Sequence, residues 1–456
     1  MILALRHSAP ELMRKSSKAL QWRPWVPDAS ERRVQGVATR IAAKDPDEAE
    51  QDILSLVSRN KRIHEFECVN LNPATSVMNP RAEAVLSQGL GRPSLGYPGD
   101  KYEMGLEAIE QLEVIAAELA AEVFNARFAE VRVLSGAMAN LYVFMALARP
   151  GDCIIAPSVS IGGHVTHHAA GCAGRYGLVS LPAPVDPQTY SVDINALRTQ
   201  ALKVKPKLIT IGGSLNLFPH PVAEIRKVAD EVGALVLFDA AHLSGVIAGG
   251  AWQNPLEQGA HVMTMSTYKS LCGPTAGLIL TNEPEIARAL DDVAYPGMTA
   301  NFNAANCAAL ALTLLDWKHC GPLYARSMIA TARALARALI EREVPVFAHD
   351  RGATTSHQFA INASAFGGGH AAAKLLRKCN ILTCAIGLPL NAGGSGPDGL
   401  RAGSPEIVRW GMTPDDMPQL ASFIQQGLTG ARSLADIATE VSAFRQQFTT
   451  LHFVRS

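Results

Sequence analysis

The feature that most constrains the fold is an alternation of apolar and amphipathic segments between about residues 105 and 320. The predicted strands are residues 131–134, 153–156, 208–211 and 235–238, and the predicted helices between them include 107–124, 137–147 and 221–232. Strands that are apolar throughout are typical of a parallel sheet buried on both faces. The sequence therefore predicts an α/β fold, with a mostly parallel sheet covered by helices on both faces.

Composition narrows the class of protein. The 456 residues suffice for two or three domains and a large core. The 41 basic and 41 acidic side chains balance, so no general attraction to nucleic acid or to an anionic membrane is expected. No apolar run is long enough to span a bilayer. Eight scattered cysteines favour buried thiols in a reducing compartment, and we expect a cytoplasmic protein.

Three parts are expected along the chain. Residues 1–60 read as a helical arm, with helices at 10–20 and at 46–57, the second capped by Asp45. Trp22 and Trp25 lie in the linker between those helices. Residues 61–320 form the large α/β domain. Residues 321–456 form a smaller α+β domain, which begins with a long helix after Pro322 and includes a strand at 381–385.

Two predicted strands lead to residues that suit one cofactor. The run 234–238 ends in Asp239, and a later run of small polar residues reaches Lys269. Pyridoxal 5'-phosphate needs a lysine amine for covalent attachment and an acid that keeps its pyridine nitrogen protonated. Each residue alone favours a solvated side chain without a cofactor. Their order and spacing together predict a pyridoxal phosphate site.

A small-residue turn at Ser135, Gly136 and Ala137 separates a predicted strand from the next helix. The start of a helix offers free N–H groups and a positive dipole end, which suit a phosphate. Close packing of the strand–helix loop explains the same residues without a ligand.

Three histidines follow the strand 153–156, namely His164, His167 and His168. A histidine at the carboxyl end of the sheet is placed to stack on a flat cofactor. Spacing alone does not decide which of the three reaches the site. No carboxylate or cysteine flanks them at metal-ligand spacing, so no metal site is predicted.

Two further residues stand near predicted strand ends. Ser214 follows the strand 208–211 and suits either a hydrogen bond to the cofactor's phenolic oxygen or a turn cap. Arg401 follows a Gly- and Pro-rich loop. Its guanidinium offers bidentate recognition of an amino-acid carboxylate, or it is a surface arginine.

In this order, the motifs resemble those of the serine hydroxymethyltransferase family, which are fold-type I pyridoxal phosphate enzymes. The segments that carry the resemblance are residues 96–102, 134–140, 162–167, 238–249, 267–274 and 400–405. The similarity extends over roughly residues 60–430.

The resemblance implies a role for each matching residue. Lys269 attaches the cofactor, Asp239 pairs with its pyridine nitrogen and His164 stacks on its ring. His242 and Ser214 lie near the phenolic oxygen, Ser135, Gly136 and Ala137 hold the phosphate, Tyr268 adjoins the cofactor, and Arg401, Tyr102 and Glu103 contact the substrate. The family also implies a homodimer or a dimer of dimers with shared active sites.

The departures from the family lie on the substrate side. Members that use tetrahydrofolate carry a tyrosine and a glutamate where this chain has Pro93 and Leu95. That glutamate is expected to transfer a proton in folate-linked formaldehyde transfer, and leucine cannot do so. Glu103 replaces a second tyrosine, and Tyr268 replaces the histidine before the lysine.

These departures predict folate-independent aldol cleavage or transfer on a β-hydroxy-α-amino acid such as serine, threonine or α-methylserine. The base for the β-hydroxyl is left open among His242, His164 and Glu103. One alternative is an ordinary tetrahydrofolate-dependent serine hydroxymethyltransferase. Another is a non-catalytic paralogue that acts as a binding subunit. The presence of Lys269, Asp239 and Arg401 argues against that alternative.

Overall fold

The structure is a computed structural model that describes residues 20–92, 94–186, 189–299, 301–390 and 397–455. The chain divides into two compact units, and the boundary lies between Phe66 and Glu67. The helix expected at 10–20 lies outside the described residues except for Leu20. The division into three parts at 60 and 320 stays a prediction.

The first unit contains two helices, Asp28–Ala42 and Pro46–Lys61. Asp45 caps the second as expected, because its carboxylate accepts the N–H of Glu48 at 2.9 Å while Glu48 accepts the N–H of Asp45. The first helix was not predicted, since its apolar positions are few. None of the residues of Pro46–Lys61 is buried.

The second unit is built on a seven-stranded sheet. Its strands in chain order are β1 Phe128–Val133, β2 Cys153–Ala156, β3 Val179–Pro182, β4 Leu208–Gly212, β5 Leu235–Asp239, β6 Val262–Ser266 and β7 Gly277–Thr281. Their spatial order is β1-β7-β6-β5-β4-β2-β3. All neighbours are parallel except β7, which runs antiparallel to both β6 and β1. The predicted mostly parallel sheet is confirmed.

Helices cover both faces of this sheet. On β5, Val236 and Phe238 belong to one hydrophobic core, and Leu237 belongs to another on the opposite face. Such a strand must be apolar throughout, which explains the sequence pattern. The helices of this unit are Pro80–Ala84, Ile109–Phe124, Gly136–Leu147, Cys172–Tyr176, Ile194–Val204, Val222–Val232, Ser244–Ala248, Pro284–Asp292, Ala304–Ile340, Gly369–Lys378, Pro405–Arg409, Met417–Thr429 and Leu434–Arg445. No described helix is both long and apolar enough to cross a membrane.

The expected long helix after Pro322 was wrong in its starting point. One helix runs from Ala304 to Ile340, with Pro322 inside it. A proline removes one hydrogen bond of the helix ladder. Burial on both sides of that position, at Gly321 and Tyr324 among others, holds the helix together through it. Tertiary packing therefore outweighs the local preference to end the helix.

A three-stranded antiparallel sheet contains Arg401. Its strands are β8 Gln358–Asn362, β9 Cys384–Ile386 and β10 Gly399–Gly403, in the order β8-β10-β9. The single strand expected at 381–385 was wrong, because Ile381–Leu382 pairs instead with Val69–Asn70 in a separate parallel pair. This split leaves Cys384 directly opposite Arg401.

Candidate active site

The carboxyl ends of β4, β5 and β6 lie side by side, because these strands are parallel neighbours. Asp239 is the last residue of β5, and Lys269 follows β6 by three residues. The sheet therefore brings together two residues that are thirty positions apart. Open α/β sheets bind their ligands at this edge.

Lys269 lies in a tight turn and is 6% exposed. Its carbonyl accepts the N–H of Cys272 at 2.9 Å, and Cys272 takes a φ of 59° to close the turn. The Nζ atom lies 3.1 Å from Nε2 of His242. Burial lowers the pKa of Lys269 to about 8, while the negative charge of Asp239 opposes that shift. A substantial neutral fraction of the amine, the nucleophilic form, therefore exists near neutral pH.

Asp239 is 2% exposed and fully engaged by hydrogen-bond donors. Its Oδ2 accepts from Asn140 Nδ2 at 3.0 Å and contacts His167 Nε2 at 2.9 Å, and its Oδ1 accepts the N–H of Ala241 at 3.0 Å. Burial acts to raise the pKa of Asp239. The hydrogen bond and charge of His167 prevail, however, and hold that pKa well below its usual range. Asp239 is thus a stable carboxylate.

The structure gives each of the three histidines a different place. His167 bonds Asp239, as described above. His164 Nδ1 lies 2.7 Å from the hydroxyl of Thr166, and burial lowers the pKa of His164 to about 4. His168 is turned away, with Nε2 2.8 Å from the carbonyl of Pro157. The role of His167 was not predicted, since three histidines within five residues gave no signal to separate them.

His242 is buried, and one of its ring nitrogens lies close to both Lys269 and Arg401. Its Nε2 lies 3.1 Å from Nζ of Lys269 and 3.2 Å from Nη1 of Arg401. An arginine N–H only donates, so Nε2 must be the accepting nitrogen of a neutral ring. Burial and the charges of Lys269 and Arg401 hold the pKa of His242 well below its usual value. Nδ1 of His242 has no partner among the described residues.

The predicted phosphate site is the start of the helix Gly136–Leu147. The hydroxyl of Ser135 accepts the N–H of Met138 at 3.2 Å, which leaves the first N–H groups, those of Gly136 and Ala137, for a ligand. A Cβ on Gly136 would lie 2.2 Å from Oγ of Ser266. Only glycine allows the helix to start this close to the end of β6.

Arg401 reaches across from β10 and is 6% exposed. Its Nη1 donates to the carbonyl of Ser214. On its other side, Nε and Nη2 donate to Sγ of Cys384 at 3.3 and 3.2 Å. The hydrogen bond expected between the hydroxyl of Ser214 and the cofactor's phenolic oxygen stays a prediction, and the atom of Ser214 that Arg401 uses is its carbonyl oxygen. Cys384 was not predicted, because no motif marks it.

The remaining predicted site residues make no described hydrogen bond to the residues around Lys269. Tyr268 is half-buried, and its hydroxyl makes no hydrogen bond within the described part of the chain. Tyr102 is 77% exposed. Glu103 accepts the N–H of Leu95 at 3.3 Å, beside the hairpin formed by Gly96–Tyr97 and Asp100–Lys101. Neither Tyr102 nor Glu103 hydrogen-bonds to the cluster around Lys269 among the described residues.

These residues fit pyridoxal phosphate. Lys269 is a buried amine with a lowered pKa, Asp239 is a buried carboxylate ready for a protonated pyridine nitrogen, and the helix start at Gly136 offers N–H donors to a phosphate. When bound, the cofactor supplies an electron sink for a carbanion at the substrate's Cα.

Comparison with known proteins decides the family. The family model described as serine hydroxymethyltransferase matches residues 47–424. The chain belongs to that family. It is therefore a pyridoxal phosphate-dependent enzyme of fold type I, as the motifs implied.

Relatives fall into two groups by identity. A protein named alpha-methylserine aldolase from Ralstonia sp is 58% identical over 437 residues, which is 96% of this chain and 100% of that protein. One of the same name from Variovorax paradoxus is 60% identical, covering 96% of this chain and 99% of the relative. A serine hydroxymethyltransferase from Sulfolobus acidocaldarius is 35% identical, covering 89% of this chain and 94% of the relative.

Proposed function

We propose that this enzyme is a folate-independent aldolase that cleaves α-methylserine to alanine and formaldehyde, and joins them in reverse. The observation that carries the proposal is the full-length identity of 58–60% to relatives named alpha-methylserine aldolase, against 35–37% to those named serine hydroxymethyltransferase. Leu95, at the place of the proton-transferring glutamate, supports the same conclusion.

The substrate's chemistry explains which groups are needed. The Cα of α-methylserine carries no hydrogen, so removal of a Cα proton, which transamination requires, is impossible. Cleavage of the Cα–Cβ bond instead needs the β-hydroxyl proton to be removed as formaldehyde forms. Arg401 binds the carboxylate, and Asp239 keeps the pyridine nitrogen protonated so that negative charge is stabilised. A proton returns to Cα to complete alanine.

Among the candidate bases, we assign the hydroxyl proton to Nε2 of His242. This atom is an acceptor that lies between Lys269 and Arg401, where the reacting carbon and the carboxylate are expected. His164 has its Nδ1 on Thr166, and Glu103 is engaged by Leu95. Pairing of Arg401 with a carboxylate neutralises a charge that depresses the pKa of His242, so substrate binding strengthens this base.

The proposal is tested by incubating the cofactor-loaded enzyme with α-methyl-L-serine, L-serine, L-threonine and L-phenylserine, each with and without tetrahydrofolate. We expect aldehyde release from α-methyl-L-serine at the same rate in both conditions. Turnover of serine only when folate is present would instead indicate an ordinary hydroxymethyltransferase. Absence of all turnover, with cofactor bound, would indicate a binding subunit.

We also propose that the enzyme is a cytoplasmic homodimer, or a dimer of dimers, with shared active sites. Exposed apolar side chains support an association: Met104 next to Tyr102 is 84% exposed, and Leu56 and Val57 on the helix Pro46–Lys61 are 67% and 62% exposed. No disulfide joins cysteines of the described residues, which agrees with a reducing compartment. Light scattering of the purified protein tests the oligomeric state.

A further inference from the structure

The guanidinium of Arg401 is held from two opposite sides. On one side lies the carbonyl of Ser214, which is itself fixed because the N–H of Ser214 donates to Gly162 at 2.8 Å. On the other side lies Cys384, which is the direct cross-strand partner of Arg401 in the β9–β10 pair. Directly opposed side chains on an antiparallel pair share one face and lie close together. The Cys384–Arg401 contact is therefore set by the sheet register.

The donors of Arg401 can be counted. Of its five N–H groups, Nε–H and one on Nη2 converge on Sγ of Cys384, at 3.3 and 3.2 Å. Those on Nη1 face the carbonyl of Ser214 and Nε2 of His242. Among the described residues, the second N–H of Nη2 has no acceptor. The side edge of the guanidinium, formed by Nε and Nη2, is thus occupied by Cys384. Its end edge, formed by Nη1 and Nη2, keeps one N–H on Nη2 unpaired within the described part of the chain, and its Nη1 contacts His242.

A carboxylate that binds this end edge takes the second N–H of Nη2 and replaces His242 at Nη1. That exchange releases Nε2 of His242 from one of its two donors. The same exchange would not follow if the carboxylate bound the side edge, because His242 would keep its contact with Arg401. The edge on which the substrate binds therefore decides whether His242 is freed.

We propose that Cys384 is a positioning residue for substrate binding: its sulfur occupies the side edge of Arg401 and leaves the end edge to the substrate carboxylate. This inference rests on the proposed role of Arg401 in carboxylate recognition. Sulfur suits the position because its size lets one atom meet two donors. In Cys384→Ser, the hydroxyl oxygen still accepts hydrogen bonds from Arg401, but the shorter Cβ–O bond brings it less close to the guanidinium. In Cys384→Ala, Nε and one N–H of Nη2 of Arg401 are left without an acceptor.

The test compares Cys384→Ala, Cys384→Ser and the parent enzyme, all loaded with cofactor. Cys153→Ala is the matched control, because Cys153 is also half-buried but lies at the start of β2, away from the site. Binding of glycine and of glycinamide is measured from the change in cofactor absorbance. Glycinamide has the same amine and lacks the carboxylate. Neither ligand has a β-hydroxyl, so the result is independent of aldol cleavage.

We expect Cys384→Ala to weaken glycine binding roughly fivefold, the effect of one hydrogen bond, and to leave glycinamide binding unchanged. Cys384→Ser should recover part of the loss, and Cys153→Ala should bind both ligands as the parent does. Equal weakening of both ligands, or none, would overturn the proposal. If Cys384→Ala does not fold, the glycine-to-glycinamide ratio of Cys384→Ser decides the question.

Discussion

The two ends of the active site differ in how the protein holds their charged groups. At the pyridine end, Asp239 receives three donors, and Asn140 accepts the hydroxyl of Thr264 at 2.6 Å. At the carboxylate end, one N–H of Arg401 Nη2 has no acceptor among the described residues, and Nε2 of His242 is shared by Lys269 and Arg401. A buried Nδ1 without a described partner occurs at both ends, on His167 and on His242. The carboxylate of Asp239 is therefore fully paired in advance, whereas we propose that Arg401 and His242 exchange partners when substrate binds.

This contrast matches the sequence. The residues assigned to the cofactor ring keep the family motifs, and most of the departures from those motifs are expected to lie on the substrate side. Preorganised groups stabilise charge without rearranging during the reaction. Groups that contact the substrate determine substrate specificity. The expected substrate-contacting positions are those at which this chain departs from the folate-using members of the family.

Removing the proposed base should abolish most cleavage. We expect His242→Asn to lower kcat for α-methylserine cleavage by about 10²–10⁴-fold, which is the usual contribution of a general base. Binding of alanine should change little, since Arg401 and Lys269 remain. If instead Glu103→Gln causes the large loss and His242→Asn does not, the base is Glu103 and the assignment is wrong.

Neutralising the carboxylate of Asp239 should lower kcat almost as much. Asp239→Asn removes the charge that is proposed to keep the pyridine nitrogen protonated, and we expect kcat to fall about 10²–10³-fold. Asp291→Asn is the control, because Asp291 pairs with Arg132 instead. An equal loss in both variants would mean that the effect is structural.

Replacing the arginine proposed to bind the substrate carboxylate should weaken substrate binding. Arg401→Lys keeps the charge but loses bidentate geometry, so we expect KM for α-methylserine to rise roughly 10- to 30-fold. Arg226→Lys is the control, because Arg226 forms an ion pair with Asp230 instead, and this variant should have the KM of the parent. A fall in kcat with unchanged KM would contradict the assigned role.

The lowered pKa of Lys269 predicts how the apoenzyme takes up its cofactor. Only the neutral amine attacks the aldehyde, so the rate of incorporation should rise with pH and level off above about 8, the pKa of the buried Lys269. Stopped-flow absorbance of apoenzyme mixed with pyridoxal phosphate gives this profile. A rate that still rises steeply near pH 10 would indicate an ordinary, solvated lysine.

The smallest expected effect concerns stability. Gln358 is fully buried, and its two amide atoms have no described partner. Replacing it with leucine should raise the free energy of unfolding by about 1–3 kcal/mol, measured by urea denaturation, because an unsatisfied amide is removed. Lower stability would show that the amide is satisfied by water or by a ligand.

Much of this architecture was predictable from local patterns. The parallel strands, the Asp45 cap and the helix at Gly136 follow from apolar runs and capping residues, and Lys269 and Asp239 follow from spacing and chemistry. Cys384 and His167 were not predictable, because their roles depend on cross-strand register and on which histidine turns inward. The helix through Pro322 was missed because tertiary burial, which no local pattern encodes, overrides proline.

The most direct test of the account runs the reaction in reverse. Cofactor-loaded enzyme is mixed with alanine and formaldehyde without any folate, and the products are identified by mass spectrometry. We predict steady formation of α-methylserine at a rate that added tetrahydrofolate does not change. α-Methylserine that forms only when folate is added, or that does not form in either condition, would contradict this prediction.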